Sequence, residues 1–163
     1  MKTVVVIPLG WRYSGVPHPS IVEEGDDGSV QWTGKADIDG DGSGSSHGDP
    51  DFQGDTTLHF DGKPLNSDVD RYIVVPPSVI AAVEPVVLGC QAIVIYAGRQ
   101  CTAVVGDIGP RDKIGEISIS CANALGIPSS PTTGGVNSGV TYILFPGTPA
   151  QVDDKTFTLQ RHP

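Results

Sequence analysis

The sequence predicts a mainly β, single-domain protein, and three observations carry that prediction. Glycine (21 residues) and proline (14 residues) are abundant while apolar content is ordinary at 38%. That pairing suits many short strands joined by tight turns rather than a helix bundle. From Tyr72 onward the chain breaks into short hydrophobic runs, each bounded by glycine, proline or polar residues. A length of 163 residues supports one core and leaves little room for two, so residues 1–163 are expected to form one domain.

Taken in order, the first 70 residues are polar and glycine-rich. Thr3 to Leu9 is apolar, but it is short for a signal core and is followed by no small-residue cleavage site. The stretch Gly40 to Gly48, GDGSGSSHG, cannot pack a core and is expected to be a loop. The polar half is expected to wrap the apolar half. The runs Tyr72–Val75, Val86–Leu88, Ala92–Tyr96, Thr102–Val105, Ile117–Ile119 and Val140–Phe145 read as strands. Gly98 makes a hairpin of the third and fourth. One short helix is expected at Cys121–Leu125, capped by Ser120, stopped by Gly126 and Pro128, with Leu125 and Ile127 turned into the core. Strand, Gly-Asp turn, loop, strand and short helix together look like part of a six-stranded double-psi β-barrel with long polar loops, an analogy at the level of fold alone.

A formal net charge of −9 and a pI near 4.6 repel phosphate backbones and anionic lipid and attract polycations. Nucleic acid and membrane are therefore not expected partners, and no apolar run approaches the 18 or so residues that cross a bilayer. Cys90, Cys101 and Cys121 allow at most one internal disulfide, and no cysteine or histidine spacing suggests zinc. His18, His47, His59 and His162 have no nucleophile motif beside them, so a hydrolase triad has no support. Trp11, Trp32 and Tyr72 offer faces on which a sugar can stack, although aromatic residues of a small β-domain more often belong to its core.

The chemistry points to two acids. Val104 to Glu116 reads VVGDIGPRDKIGE, with Asp107 just after one strand and Glu116 just before the next. Strand ends are where a rigid scaffold presents a side chain while the adjoining loop shapes a cleft. Glycoside hydrolysis needs such a pair, one carboxyl protonated and the other ionised. Asp112, beside Arg111 and Lys113, reads as a solvated loop charge. A second acidic cluster runs through Asp37, Asp39, Asp41, Asp49, Asp51, Asp55 and Asp61. It begins like an EF-hand loop, but Gly48 stands where a bidentate Glu is required. A solvated loop or a rim of carboxylates for ammonium groups remains, and no metal or other cofactor is expected.

At these residues the chain resembles the fungal-type chitosanases of glycoside hydrolase family 75. The matching blocks are ADIDGDG with DPDFQGDTTL (Ala36–Gly42, Asp49–Leu58), RYIVVP (Arg71–Pro76) and the segment from Val104 to Gly147. The resemblance implies an endo-acting, inverting hydrolase of β-1,4 glucosaminide linkages, with Asp107 and Glu116 as the catalytic acids. It also implies chitosan as the partner, and Asp37, Asp39, Gln53, Thr57 and Tyr72 are expected to contact it. A monomeric, extracellular catalytic domain is expected, although no signal peptide is seen. The chain departs from the family at Gly40, where a cysteine normally stands, so the disulfide expected there is absent. An acid-lined groove predicts activity that falls with salt and with acetylation of the polymer. The rival readings are a non-hydrolytic polysaccharide binder or wall-loosening protein on the same barrel, and a peptidoglycan-cleaving enzyme.

Overall fold

The computed structural model describes residues 1–82 and 88–161. Its strands are β1 (Lys2–Tyr13), β2 (Val16–Glu24), β3 (Val30–Asp39), β4 (His59–Phe60), β5 (Lys63–Pro64), β6 (Tyr72–Val75), β7 (Cys90–Tyr96), β8 (Arg99–Ile108), β9 (Glu116–Ser118), β10 (Val136–Pro149), β11 (Gln151–Val152) and β12 (Lys155–Thr156). Two helices, α1 (Pro77–Ala82) and α2 (Ile119–Leu125), complete the described elements.

The main sheet runs β1-β2-β3-β10-β7-β8-β6-β9, and β9 pairs back onto β3, closing six of these strands into a barrel. Two of its pairings, β6 with β8 and β3 with β9, are parallel; the rest are antiparallel. The fold is thus mainly β, a six-stranded closed barrel of the double-psi kind. Closure removes the barrel's own edges. Tyr72, Ile73, Ile117, Val140, Tyr142 and Leu144 are fully buried in its core.

The runs from Tyr72 onward form strands where the pattern places them. β6 coincides with Tyr72–Val75, and all four of its residues are buried, which is why it reads as a continuous apolar run. β7 and β8 turn at Ala97–Gly98, both with positive φ (50° and 79°), the two-residue turn whose twist suits a hairpin. Residues 86 and 87 of the expected strand Val86–Leu88 lie outside the described residues, and Leu88 makes an isolated bridge to Gln160.

Three expectations need correction. The first 39 residues are not wrapping loop but three strands, and β3 is a stave of the barrel. Within the β1–β2 hairpin a methyl group on Gly10 would sit 1.9 Å from Ser20 Oγ, and where β3 meets the hairpin one on Gly34 would sit 2.6 Å from the same atom. Only glycine fits these crossings. The helix begins at Ile119, and its cap is Ser118, whose hydroxyl accepts from Cys121 N at 3.2 Å; Gly126 ends it in the left-handed region as expected. Leu125 and Ile127 are buried. Finally, a second helix, α1, follows Pro76, with Pro77 in the first helical position that a fixed φ favours.

Candidate active site

Strand register builds the site. Val74 of β6 pairs with Asp107 of β8 on one side and Glu116 of β9 on the other, and Glu116 in turn pairs with Asp37 of β3. Register partners point to the same face of a sheet. Asp107, Val74, Glu116 and Asp37 therefore form one row across four strands, with roughly 10 Å, two strand spacings, between the Cα atoms of Asp107 and Glu116. Gly115 sets the end of that row. Its φ is 92°, a Cβ there would stand 2.3 Å from Lys35 O, and its carbonyl accepts from Asp37 N at 2.8 Å.

Above the row opens a groove of about 810 Å³ whose walls include Asp39, Asp41, Gln53, Thr57, Asp107 and Glu116. A second hollow of about 410 Å³ shares Asp39, Asp41, Lys113 and Glu116 with it and adds Asp37, Asp49 and Asp51. Both catalytic candidates thus face one open groove, Asp39, Gln53 and Thr57 line it with them, and Asp37 lines the adjoining hollow.

The two acids are held unequally. Asp107 is 9% exposed, and its Oδ1 accepts three hydrogen bonds, from Thr57 Oγ1 (2.7 Å), Thr57 N (3.0 Å) and Ile108 N (3.0 Å). Burial raises its pKa, and those donors oppose the rise. Glu116 has no hydrogen-bond donor among the described residues. Burial raises its pKa first; Lys113 opposes the shift, and Asp37 and Asp107 add to it. With the same direction of shift but different support, Asp107 is the better-stabilised anion and Glu116 the readier proton carrier.

Asp39 is the most perturbed acid of the groove. It is 8% exposed, and burial, with the charges of Asp41, Asp107 and Glu116 behind it, moves its pKa from 3.8 to about 8. Its Oδ1 accepts from Asp41 N at 2.8 Å, and Asp41, itself raised chiefly by burial, accepts from Gln53 N at 2.8 Å. Asp39, Asp41 and Asp107 each bring a carboxylate oxygen within 4.8 Å of the others, the one such set among the described residues. These are the ligands a cation would find. A proton retained on Asp39 relieves the same repulsion. The EF-hand-like start has a different role, since Asp37 and Asp39 are strand residues of β3.

Tyr72 does not reach this space, which corrects the expectation that it touches substrate. It is fully buried, and its hydroxyl donates to Asp41 O at 2.9 Å, so it props the aspartate loop from beneath. Trp32 likewise lies in the core, stacked on Tyr142 at 4.8 Å. Thr57 meets the groove, yet its hydroxyl and amide are spent on Asp107. Sequence reasoning named Lys113 only as a neighbour of the loop charge Asp112, and it did not single out Asp41 from the acidic cluster. It also gave no role to the pair of His59 and Asp55, 2.6 Å apart on the groove wall. For Lys113 the available signal was its position three residues before Glu116.

Two unequally held carboxyl groups across an open groove are the equipment of a glycoside hydrolase. Residues 36–162 match the family described as fungal chitosanase of glycosyl hydrolase group 75, and the chain belongs to that family. None of the curated proteins matches the chain in sequence. Among solved structures it is similar to the Streptomyces papain inhibitor (SPI), at 20% identity and a TM-score of 0.46, over 71% of this chain and 94% of that one. That likeness is too distant to bear on function. No helix among the described residues is long and apolar enough to cross a membrane.

Proposed function

We propose that this protein is an endo-acting chitosanase that hydrolyses β-1,4 glucosaminide linkages with inversion, Glu116 acting as general acid and Asp107 as general base. The observation that carries the reading is the placement of these two acids on either side of Val74, on one face and at the mouth of one groove. Their Cα spacing of roughly 10 Å suits carboxyl groups about 6.5–9.5 Å apart, the gap that leaves room for a water on the far face of the sugar.

In the proposed cycle the protonated Glu116 gives its proton to the glycosidic oxygen as the bond to the anomeric carbon breaks. Asp107 takes a proton from the water that attacks the opposite face, and the new hydroxyl carries the inverted configuration. Proton exchange with solvent then restores both groups. Thr57 and Ile108 N favour the ionised form of Asp107 for this step, and burial raises the pKa of Glu116, which favours its protonated form.

The acid-lined groove selects for a polycation. Asp37, Asp39 and Gln53 are proposed as substrate contacts, with Asp41, Asp49 and Asp51 as the carboxylates that draw ammonium groups in. A family of fungal chitosanases fits secretion to where such polymers occur, and an extracellular, monomeric enzyme is part of the same proposal. The test is soluble chitosan followed by reducing-end release, with the product anomer read by NMR. An α-anomer formed first supports inversion. Retained configuration, or binding without new reducing ends, overturns the reading.

A further inference from the structure

The β1–β2 hairpin precedes the family-matched residues 36–162, and its first strand walls a hollow beside the catalytic groove. A hollow of about 270 Å³ lies between Leu9 and Arg12 of β1, Lys35 of β3 and Asn137 of β10. Asp37 and Lys113 also line it, and these two line the hollow beside Glu116 as well. The hollow therefore adjoins the one beside Glu116, with Asp37 and Lys113 as their common wall, and lies past Asp37, the last member of the row Asp107–Glu116–Asp37.

Its charge is of the opposite kind. Beside Glu116 six carboxylates, Asp37, Asp39, Asp41, Asp49, Asp51 and Glu116 itself, face the single cation Lys113. In the hairpin hollow Arg12, Lys35 and Lys113 face only Asp37 and Asp112, and Asp37 is already paired with the Lys35 ammonium. Arg12 spends one donor on Gly15 O at 3.1 Å, and a guanidinium has five. Leu9, 52% exposed, supplies an apolar face beside it.

We propose that this hollow is a sugar subsite that takes an N-acetylated unit of the polymer in preference to a glucosamine ammonium. An ammonium group placed there meets the Arg12 and Lys113 charges. An acetamido group has no charge to repel, a carbonyl that accepts from Arg12 or Asn137, and a methyl that packs on Leu9. The inference rests on the chitosanase reading and deepens it: the groove would bind a partly acetylated chain in one direction, ammonium-bearing units on the aspartate side and an acetylated unit under the hairpin.

The test digests chitosan of intermediate acetylation with the full chain and sequences the oligomers by mass spectrometry. The unaltered protein should enrich N-acetyl groups at one fixed position away from the cut. Arg12→Glu should lower that enrichment about three- to fivefold, the size of an exposed charge effect. Leu9→Ala, which keeps the charge, should lower it by a smaller factor. Equal acetyl profiles for the parent and both variants, or a parent with no positional preference, overturn the subsite while leaving the hydrolase reading intact. A parent that releases no oligomers from any chitosan overturns the hydrolase reading itself and the subsite with it.

Discussion

On the barrel wall, Asp107 and Glu116 stand where strand register puts them, each the partner of Val74 across a shared ladder. In the segment facing them, from Asp39 at the end of β3 through the loop to Asp61, the acids hold themselves in place. Asp39 accepts from Asp41 N, Asp49 from Asp51 N, Asp41 from Gln53 N and Asp55 from Thr56 N. The first two are carboxylates folding a turn by capturing the amide two residues on, and the Asp41 bond to Gln53 N ties the two sides of the loop together. The wall can therefore fix a separation to within a fraction of an ångström, because its spacing comes from main-chain hydrogen bonds. The loop offers charge density instead, with its shape dependent on the ionisation of the same groups that provide the charge. Chemistry that needs exact spacing belongs on the first surface and recognition of a repeating cation on the second.

The largest effect that can break this contrast is on the wall. Asp107→Asn and Glu116→Gln should each lower kcat on soluble chitosan by about 10²–10⁴-fold, the contribution of a positioned acid or base, while polymer binding persists. Asp49→Asn, in the loop, should act mainly on KM. Reducing-end kinetics on the purified variants check this, and a tenfold or greater kcat loss in Asp49→Asn with a mild effect in Asp107→Asn would reverse the assignment of roles.

The next concerns stability of the wall. Cys101 Sγ of β8 and Cys121 Sγ of α2 lie 3.4 Å apart. The hydrogen bond between them and the nearby Arg71 hold the Cys101 thiol below its usual pKa, while Cys121 is pushed up. A thiol of lowered pKa beside a second thiol is set up for oxidation to a disulfide by an added oxidant such as oxidised glutathione. Closing the 20-residue loop should add about 3 kcal/mol. That corresponds to about 5–10 °C in Tm, lost on reduction and absent in Cys121→Ser. Because the bridge lies behind the row, kcat should stay the same in both redox states.

The same contrast explains what could be read in advance. β6 was legible because all of Tyr72–Val75 is buried, and the Asp107 and Glu116 pair because Gly-Asp and Gly-Glu sit at the ends of recognisable strands. β1 and β2 were not. β1 keeps Val6, Leu9 and Tyr13 more than half exposed, and register shifts at Thr3/Val5 and Ile7/Trp11 break the alternation by which a half-buried strand announces itself. Tyr72 had the character of a stacking residue, and it is buried by partners distant in sequence, Val104 across the parallel β6–β8 pairing and the main chain at Asp41. Asp41 matters through neighbours, Asp39 and Asp107, that are near in space and, in the second case, 66 positions away in sequence. No local pattern carries that.

Thr57→Val sharpens the distinction on a smaller scale. The variant keeps the Thr57 amide on Asp107 but removes the hydroxyl, one of three donors to the ionised form. Losing a donor to the anion raises the Asp107 pKa further. The acid limb of the kcat/KM profile should therefore move to higher pH, and kcat at the optimum should fall about tenfold, a hydrogen bond to a charged group. Thr57→Ser, which retains the hydroxyl, should restore the parent profile. An unmoved acid limb in the valine variant would mean that Asp107 is not the base.

The smallest effect probes the loop through Asp39. Its carboxyl keeps a proton to about pH 8 in the folded protein, against 3.8 for the ordinary group. Between those values the folded state binds more protons than the unfolded one, so the Asp39 contribution is fully present below pH 4 and is lost as pH rises to 8. Asp41, Asp107 and Glu116 are raised as well and slope the same way, so the parent curve alone does not isolate it. Asp39→Asn keeps an oxygen for Asp41 N and has no proton to lose. Relative to the parent it should gain about 3–6 °C in Tm at pH 8 and nothing at pH 4. Thermal melts across that range check the difference, and parallel curves for the two proteins would mean that Asp39 ionises as freely in the fold as out of it. The loop would then owe its shape to hydrogen bonds alone, and the dependence of that shape on ionisation would fall away.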